Sequence, residues 1–340
     1  MLRPRTAVRS GRSGTPHPQE APCEPAGAPP TSSPTETAGT LCSVTARSCG
    51  RTTRSRTWAR GTTVRWTRNW TSARRWWIAR RRDVPVRLHC LQGMAERDLV
   101  QELHGTTPLR LLARTGLLDT RLLVPHGIVT DRHPDVHGED RGDLAALAAA
   151  GVSVIHCPQT SLRYGQVLHS FDAYRRAGIN LCLGTDSFPP DLIRGMDTGV
   201  HLAKVVDGRL DAAPAEHYVE AATLGGARAL RRTDLGRLEP GAQADLVAFR
   251  LDDIRDGVQD DPVRTFLLNG TARQATHSVV AGRPVMTDGR IPGTDLPNLR
   301  RRAQTLFETM RAAYGERDLR RRGAGELFPP TFPPYEETSR

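Results

Sequence analysis

Four residues able to bind a metal or move a proton recur at matching places in the middle of this 340-residue chain: His89, His126, His156 and Asp186. Each closes a short apolar run: VPVRLH, LLVPH, VSVIH and INLCLGTD. The intervals are 37, 30 and 30 residues, about one strand-helix unit each. In a barrel of parallel strands the C-terminal strand ends converge on one mouth, where chemistry is done. A neutral imidazole at such an end can ligate a metal or move a proton. A carboxylate at Asp186 can do both. A divalent metal held there lowers the pKa of bound water and gives hydroxide near neutral pH. A lone strand-end His is more often structural than catalytic, but three His and one Asp in successive units reverse those odds. His156, in HCP, has the strongest structural claim, because Pro158 fixes the turn and the imidazole can either brace it or line the site. His104, His133, His137, His169, His201, His217 and His277 fall on helices, loops or a later β region and read as surface or core residues.

The elements that must position these residues begin at Val84. VPVRLHCL reads as a strand, and MAERDLVQELHG as a helix stopped by Gly105. TPLRLLARTGLL is a second helix opening near Pro108, a favoured first-turn residue. RLLVPHG, VSVIH and INLCLGTDS are strands, separated by the helices DLAALAAAG and LHSFDAYRRAG, and the long helix AEHYVEAATLGGARAL follows. Strand-helix alternation implies parallel pairing. From about residue 235, GRLEPGAQADLVAFRL and HSVVAGRPVMTDGRI give short strands with Gly-rich turns. The spacing predicts a barrel-like region over 84–234, a small β subdomain over 235–292, a C-terminal helix over 293–320, and a disordered tail over 321–340 whose paired prolines exclude helix.

Residues 1–83 are unlike the rest. The formal net charge of +11 belongs to this segment, which carries 16 arginines against Glu20, Glu24, Glu36 and Asp83. Beyond it the chain is nearly neutral, so the high charge does not define the globular part. All five tryptophans lie here, interleaved with Arg from Arg51 to Arg82. The composition supports no core and shows no sustained helical or strand period. One reading is a nucleic-acid-binding arm, with Arg on phosphates and Trp stacked on bases. The reading preferred here is a disordered or non-native stretch. Lys204 is the single lysine of the chain, the mark of a GC-rich gene, and such a gene read out of frame yields Arg, Pro, Gly, Ala and Trp.

The six cysteines form no CxxC pair, which argues against a cysteine metal site or a disulfide framework. Cys90, Cys157 and Cys182 fall within or beside predicted buried strands, as free thiols do. With no apolar run of membrane length and no signal-peptide core, the expectation is a cytoplasmic protein with no membrane partner.

The motifs HxxQ at His89, LHGTTPLRLLARTGLL, LLVPHG, VIHCPQTSLRYG, LCLGTDS, EAATLGGARAL and LGRLEPGAQADLVAF occur in the order seen in the amidohydrolase superfamily. The sequence resembles the branch of cytosine and guanine deaminases, S-adenosylhomocysteine deaminases and triazine chlorohydrolases over roughly residues 84–292. The resemblance implies an α/β fold, a partial (β/α)8 TIM-like barrel of strands 5–8 with a small β-sandwich subdomain and a disordered N-terminal segment. It implies one divalent metal ion, zinc or iron, and a small-molecule heterocyclic substrate that loses ammonia or chloride from a ring carbon. It makes His89 and Asp186 metal ligands, His126 a catalytic histidine and Asp186 also the proton acceptor; His156 stays, on the residues alone, a substrate-side or bracing residue. Gln92 falls where many members of this branch have a Glu that shuttles protons. An amide orients water or substrate but cannot titrate, so Gln92 departs from the usual deamination route.

The larger departure lies upstream. The family opens its barrel with an HxH pair on strand 1, and no HxH occurs in this sequence, whose single histidine before His89 is His17. The expectation is therefore an N-terminally truncated or frame-shifted member, impaired as a hydrolase. The alternatives are a non-enzymatic nucleic-acid binder acting through the N-terminal arm, although nucleic acid is the less expected partner, and an inactive half barrel that needs a partner chain. Exposed strand edges would also invite self-pairing, so a homo-oligomer is among the expectations.

Overall fold

Apolar residues on both sides of a strand call for cover on both faces, as in parallel sheets flanked by helices. The central strands of this chain meet that condition. The computed structural model describes residues 76–332, apart from 138–139, 259 and 270–274, together with residues 56–57 and 63–64. These residues belong to one compact unit, Gly50–Arg340. Most of the Arg/Trp-rich segment, with His17, Cys23, Cys42 and Cys49, lies outside the described residues, as does the tail beyond residue 332.

Two short strands come first, β1 (Arg56–Thr57) and β2 (Thr63–Val64), paired antiparallel. Helix α1 (Trp77–Arg82) leads into β3 (Val86–Arg87). Helices α2 (Met94–His104) and α3 (Pro108–Arg114) then connect to β4 (Leu122–Pro125). As the sequence predicts, α2 stops at Gly105, whose φ of 61° is left-handed, and α3 opens on Pro108 with Thr107 accepting from the Arg110 N–H. Helix α4 (Asp143–Ala149) precedes β5 (Ser153–His156), and α5 (Pro158–Arg163) and α6 (Phe171–Arg176) precede β6 (Asn180–Leu183). The four strands form one parallel sheet in the order β3-β4-β5-β6. Leu122, Val124, Leu147, Val154, Phe171 and Tyr174 make up much of its buried core.

Helix α7 (Leu192–Asp207) is followed by a continuous helical stretch, α8 (Ala215–Glu220), a π turn (Ala221–Gly225) and α9 (Gly226–Ala229). Gly225 is required there: a Cβ would stand 2.1 Å from the Leu181 carbonyl oxygen of β6. After α9, Arg231 forms an ion pair with Asp83 at 2.6 Å, joining positions at opposite ends of the parallel region. Strand β7 (Leu246–Phe249), helix α10 (Pro262–Asn269) and strands β8 (Ala275–Val280) and β9 (Arg283–Met286) follow. Helices α11 (Leu296–Ala312), α12 (Tyr314–Arg317) and α13 (Ala324–Leu327) complete the described chain. No helix among the described residues is long and apolar enough to cross a membrane.

Several expectations change. The strands are shorter than their apolar runs: β3 stops two residues before His89, β4 one before His126 and β6 three before Asp186, while only β5 reaches its histidine. The cause is local. His126 and Asp186 have φ of 71° and 56°, so each leaves the extended conformation as a turn begins. The β subdomain is a single three-stranded antiparallel sheet, β7-β8-β9, rather than a sandwich of two sheets among the described residues. Residues 77–82, expected to be disordered, form a helix, and Trp76 packs against the core. The C-terminal helix expected over 293–320 is two helices broken at Ala313, and the expected disordered tail carries α13, since the paired prolines begin only at Pro329.

Candidate metal centre

The free ends of three strands bring His89, His126 and Asp186 together. Each offers one ligand atom, and these atoms all lie within 4.8 Å of one another. A flat sheet would hold its first and fourth strands roughly 14 Å apart, three times the strand spacing. His89 follows β3 and Asp186 follows β6, so the turns beyond the strands and the reach of the side chains bridge that separation. Among the described residues this is the one such group of three or more metal-capable side chains.

Each residue is set by its own surroundings. His126 is 2% exposed, and its main-chain N–H donates to the Ile155 carbonyl of β5 at 2.9 Å. Burial pushes its imidazole pKa down, the Asp186 carboxylate pulls it up, and His89 and Arg87 push it down again. The outcome is a ring that stays neutral near pH 7, the form that ligates a metal or accepts a proton. The His89 ring lies 5.4 Å from it, centroid to centroid, and is exposed, as is Asp186. Left-handed φ at a bulky residue costs about 1–3 kcal/mol and persists where the surroundings fix it. His126 and Leu91 are fixed in this way, and Asp186 adopts such a conformation more readily.

Residues not singled out from the sequence hold these turns. Tyr174, fully buried on α6, donates its hydroxyl hydrogen to the Gly127 carbonyl. Thr160 on α5 donates to the Thr185 carbonyl at 3.0 Å and lies 2.7 Å from the Ser187 hydroxyl, so it grips both neighbours of Asp186. Glu96 on α2 accepts from the main-chain N–H groups of Leu91 at 3.1 Å and Gln92 at 2.9 Å. An acidic residue in a first helical turn was the available sequence signal for Glu96. No signal marked Tyr174 or Thr160, whose partners are 47 and 25 residues away.

His156 is outside the donor group. It is buried against Phe171 and Tyr218, with ring centroids 5.9 and 6.2 Å away. Burial, with a further push from His126, takes its pKa down to about 3, and its Nδ1 is buried without a hydrogen-bond partner. Cys157 is likewise outside the donor group, and burial and the Asp186 charge push its thiol up to about 12. Cys90, Cys157 and Cys182 are free and buried, as the sequence implies.

An arrangement of two imidazoles and a carboxylate at the C-terminal ends of parallel strands suits a divalent ion with nitrogen and oxygen ligands. The comparisons with known proteins agree in kind. The chain is 31% identical over 242 residues to a 5-methylthioadenosine/S-adenosylhomocysteine deaminase of Halobacterium salinarum, covering 70% of this chain and 54% of that protein. It is 29% identical over 226 residues to an 8-oxoguanine deaminase of Pseudomonas aeruginosa, covering 65% and 48%. Among solved structures, an adenosine deaminase from Xanthomonas campestris with bound zinc superposes with a TM-score of 0.63 at 30% identity, covering 71% of this chain and 54% of that one. Atrazine chlorohydrolase TrzN from Arthrobacter aurescens TC1, complexed with zinc, gives a TM-score of 0.57 at 26% identity, covering 68% and 50%. The chain spans about half the length of the curated relatives it matches. The family model covers residues 71–285, so the similarity begins inside the segment expected to be foreign, near the Trp76 and α1 that join the core. On that match the chain belongs to the Amidohydrolase family.

Proposed function

We propose that this chain carries part of the site of a metal-dependent hydrolase that removes ammonia, or chloride, from a ring carbon of a heterocyclic substrate. The observation that carries the reading is the convergence of His89, His126 and Asp186 within 4.8 Å at the mouth of a parallel sheet, in an Amidohydrolase-family chain. His89 and Asp186 would hold the ion, zinc or iron, and their donor types fit either. When bound, such an ion supplies Lewis acidity and makes water a nucleophile near neutral pH.

The chain's own residues do the rest. His126, kept neutral by burial, presents a nitrogen that can polarise a substrate atom or take a proton. The Asp186 carboxylate accepts the proton released by attacking water. Gln92 orients water or substrate through its amide, and it cannot replace a titrating acid. Glu96, four residues on, has its carboxylate engaged by two main-chain N–H groups. His156, packed against Phe171 and Tyr218, braces the strand end from within the core.

We also infer that the chain by itself binds the ion weakly and turns over little substrate. No HxH occurs in the sequence, and each missing ligand removes a large part of the roughly 10 kcal/mol or more found at full zinc sites. The test is zinc competition with a chelator, alongside assays of ammonia release from methylthioadenosine and 8-oxoguanine and chloride release from atrazine. Weak zinc binding that His89→Ala and Asp186→Asn each abolish, with turnover near background, is expected. Zinc binding untouched by either substitution would overturn the site. Tight stoichiometric zinc with ready turnover would overturn the impairment.

A further inference from the structure

The turn after β3 carries His89 and Gln92, and four hydrogen bonds define it. Glu96 occupies the third position of α2, where an acidic side chain ordinarily reaches back to the N-cap N–H, here that of Gly93. It reaches further. Its two carboxylate oxygens take the N–H groups of Leu91 and Gln92, at 3.1 and 2.9 Å. Leu91 is buried and left-handed, with φ of 56°. Its carbonyl in turn accepts from the N–H groups of both Ile128 and Val129, each at 2.7 Å, in the loop that follows His126. Glu96 therefore grips one residue whose other face is bonded to the second histidine's loop.

We propose that Glu96 is a positioning residue for the candidate metal centre, fixing His89 and Gln92 relative to His126 through the Leu91 turn. The inference rests on the metal reading given above for those histidines. Charge-assisted bonds from a carboxylate to main-chain N–H groups are about twice as strong as neutral ones. Bonds made directly to ligating groups typically change metal affinity by 10–100-fold, and the Glu96 bonds act through the residues that follow His89. The bland alternative is that Glu96 only starts helix α2. That role would lower stability and leave the histidines where they are.

The experiment uses the full chain and two readouts. The first needs no metal: amide hydrogen exchange at Leu91 and Gln92, followed by NMR with the His89 and His126 ring resonances. The second is zinc affinity by chelator competition. Thr107→Ala, which removes the cap of α3, serves as the control for loss of a helix cap away from the turn. Glu96→Ala is expected to speed exchange at Leu91 and Gln92, shift the His89 ring signals, and weaken zinc about tenfold or more. Glu96→Gln, which keeps the size and one acceptor oxygen, should fall between the wild type and Glu96→Ala, and it carries the test if the alanine variant does not fold. Thr107→Ala should leave both readouts unchanged. Protected Leu91 and Gln92 amides in the Glu96 variants, or a zinc loss no greater than that of Thr107→Ala, would overturn the proposal. Wild-type zinc binding that ignores His89→Ala would instead overturn the metal reading, and amide exchange with the ring shifts would then decide the role of Glu96 alone.

Discussion

The parallel sheet and the C-terminal elements follow opposite rules of burial. In β4 and β5 most side chains are buried, and the helices around them supply Leu147, Phe171 and Tyr174 to the same core. In β7 three of four residues are exposed, and α11 has no buried residue although Leu299, Leu306, Phe307 and Met310 share one side. Apolar faces of this extent on a soluble protein normally meet something. The sheet therefore has its own core and can fix a site, whereas the C-terminal elements have faces without cover among the described residues. The contrast separates what determines the geometry of the candidate centre from what determines behaviour in solution.

The sharpest way to break that contrast is to truncate one leucine in each region. Leu147 is 0% exposed, and Leu147→Ala should cost about 2–5 kcal/mol by urea unfolding. A loss under 1 kcal/mol would mean that the sheet is not the organising core. Gly127→Ala comes next. Gly127 has φ of 57°, and a Cβ would stand 3.0 Å from a Val154 methyl, so about 1–3 kcal/mol of strain should appear beside His126. Zinc affinity should fall with it, and an unchanged affinity would show that the loop relaxes without moving the histidine.

A pH experiment tests the buried histidines. The pKa of His156 is lowered from 6.5 to about 3 by burial, and that of His126 is lowered in the same direction. Below 6.5 the unfolded chain takes up protons that the folded chain does not, so stability should fall as pH drops. The slope for one such group is at most about 1.4 kcal/mol per pH unit. His156→Leu should flatten the curve of urea midpoint against pH between about pH 4 and 6. An unaltered slope would mean that His156 is protonated in the folded state. The smallest effect on stability belongs to the C-terminal elements. Leu306, 61% exposed, should tolerate Leu306→Ser within about 0.5 kcal/mol. Sedimentation of the wild type and this variant tests α11 as a contact between copies: reduced self-association would support it, and an unchanged distribution would remove α11 as a contact surface.

What could be read in advance follows the range of the interactions involved. The strand runs, the helix stops at Gly105 and Gly151, and the spacing of His89, His126 and Asp186 are local signals, and each survived as an element or a convergence. The ends of β4 and β6 fall one and three residues short of His126 and Asp186, because those two residues turn left-handed whatever the apolarity of the run. Trp76 and α1 were hidden by composition: arginine-rich context masks a short helix and the ring before it that packs against the core. The Asp83–Arg231 pair spans 148 residues and leaves no pattern in either neighbourhood. The π turn is equally silent, since it answers to the Leu181 carbonyl that Gly225 must approach rather than to its own sequence.

The shared carbonyl of Leu91 bears on how such a mouth can diversify. One oxygen serves two N–H groups of the following loop, so the segments after β3 and β4 are mechanically coupled. An insertion in either must preserve the other's register or surrender both. The segment after β6 is tied through the hydroxyls of Thr160 and Ser187 and a single carbonyl, a tether that other small polar side chains can replace. Changes of substrate should therefore be acquired more readily around Asp186 than around His89 and His126.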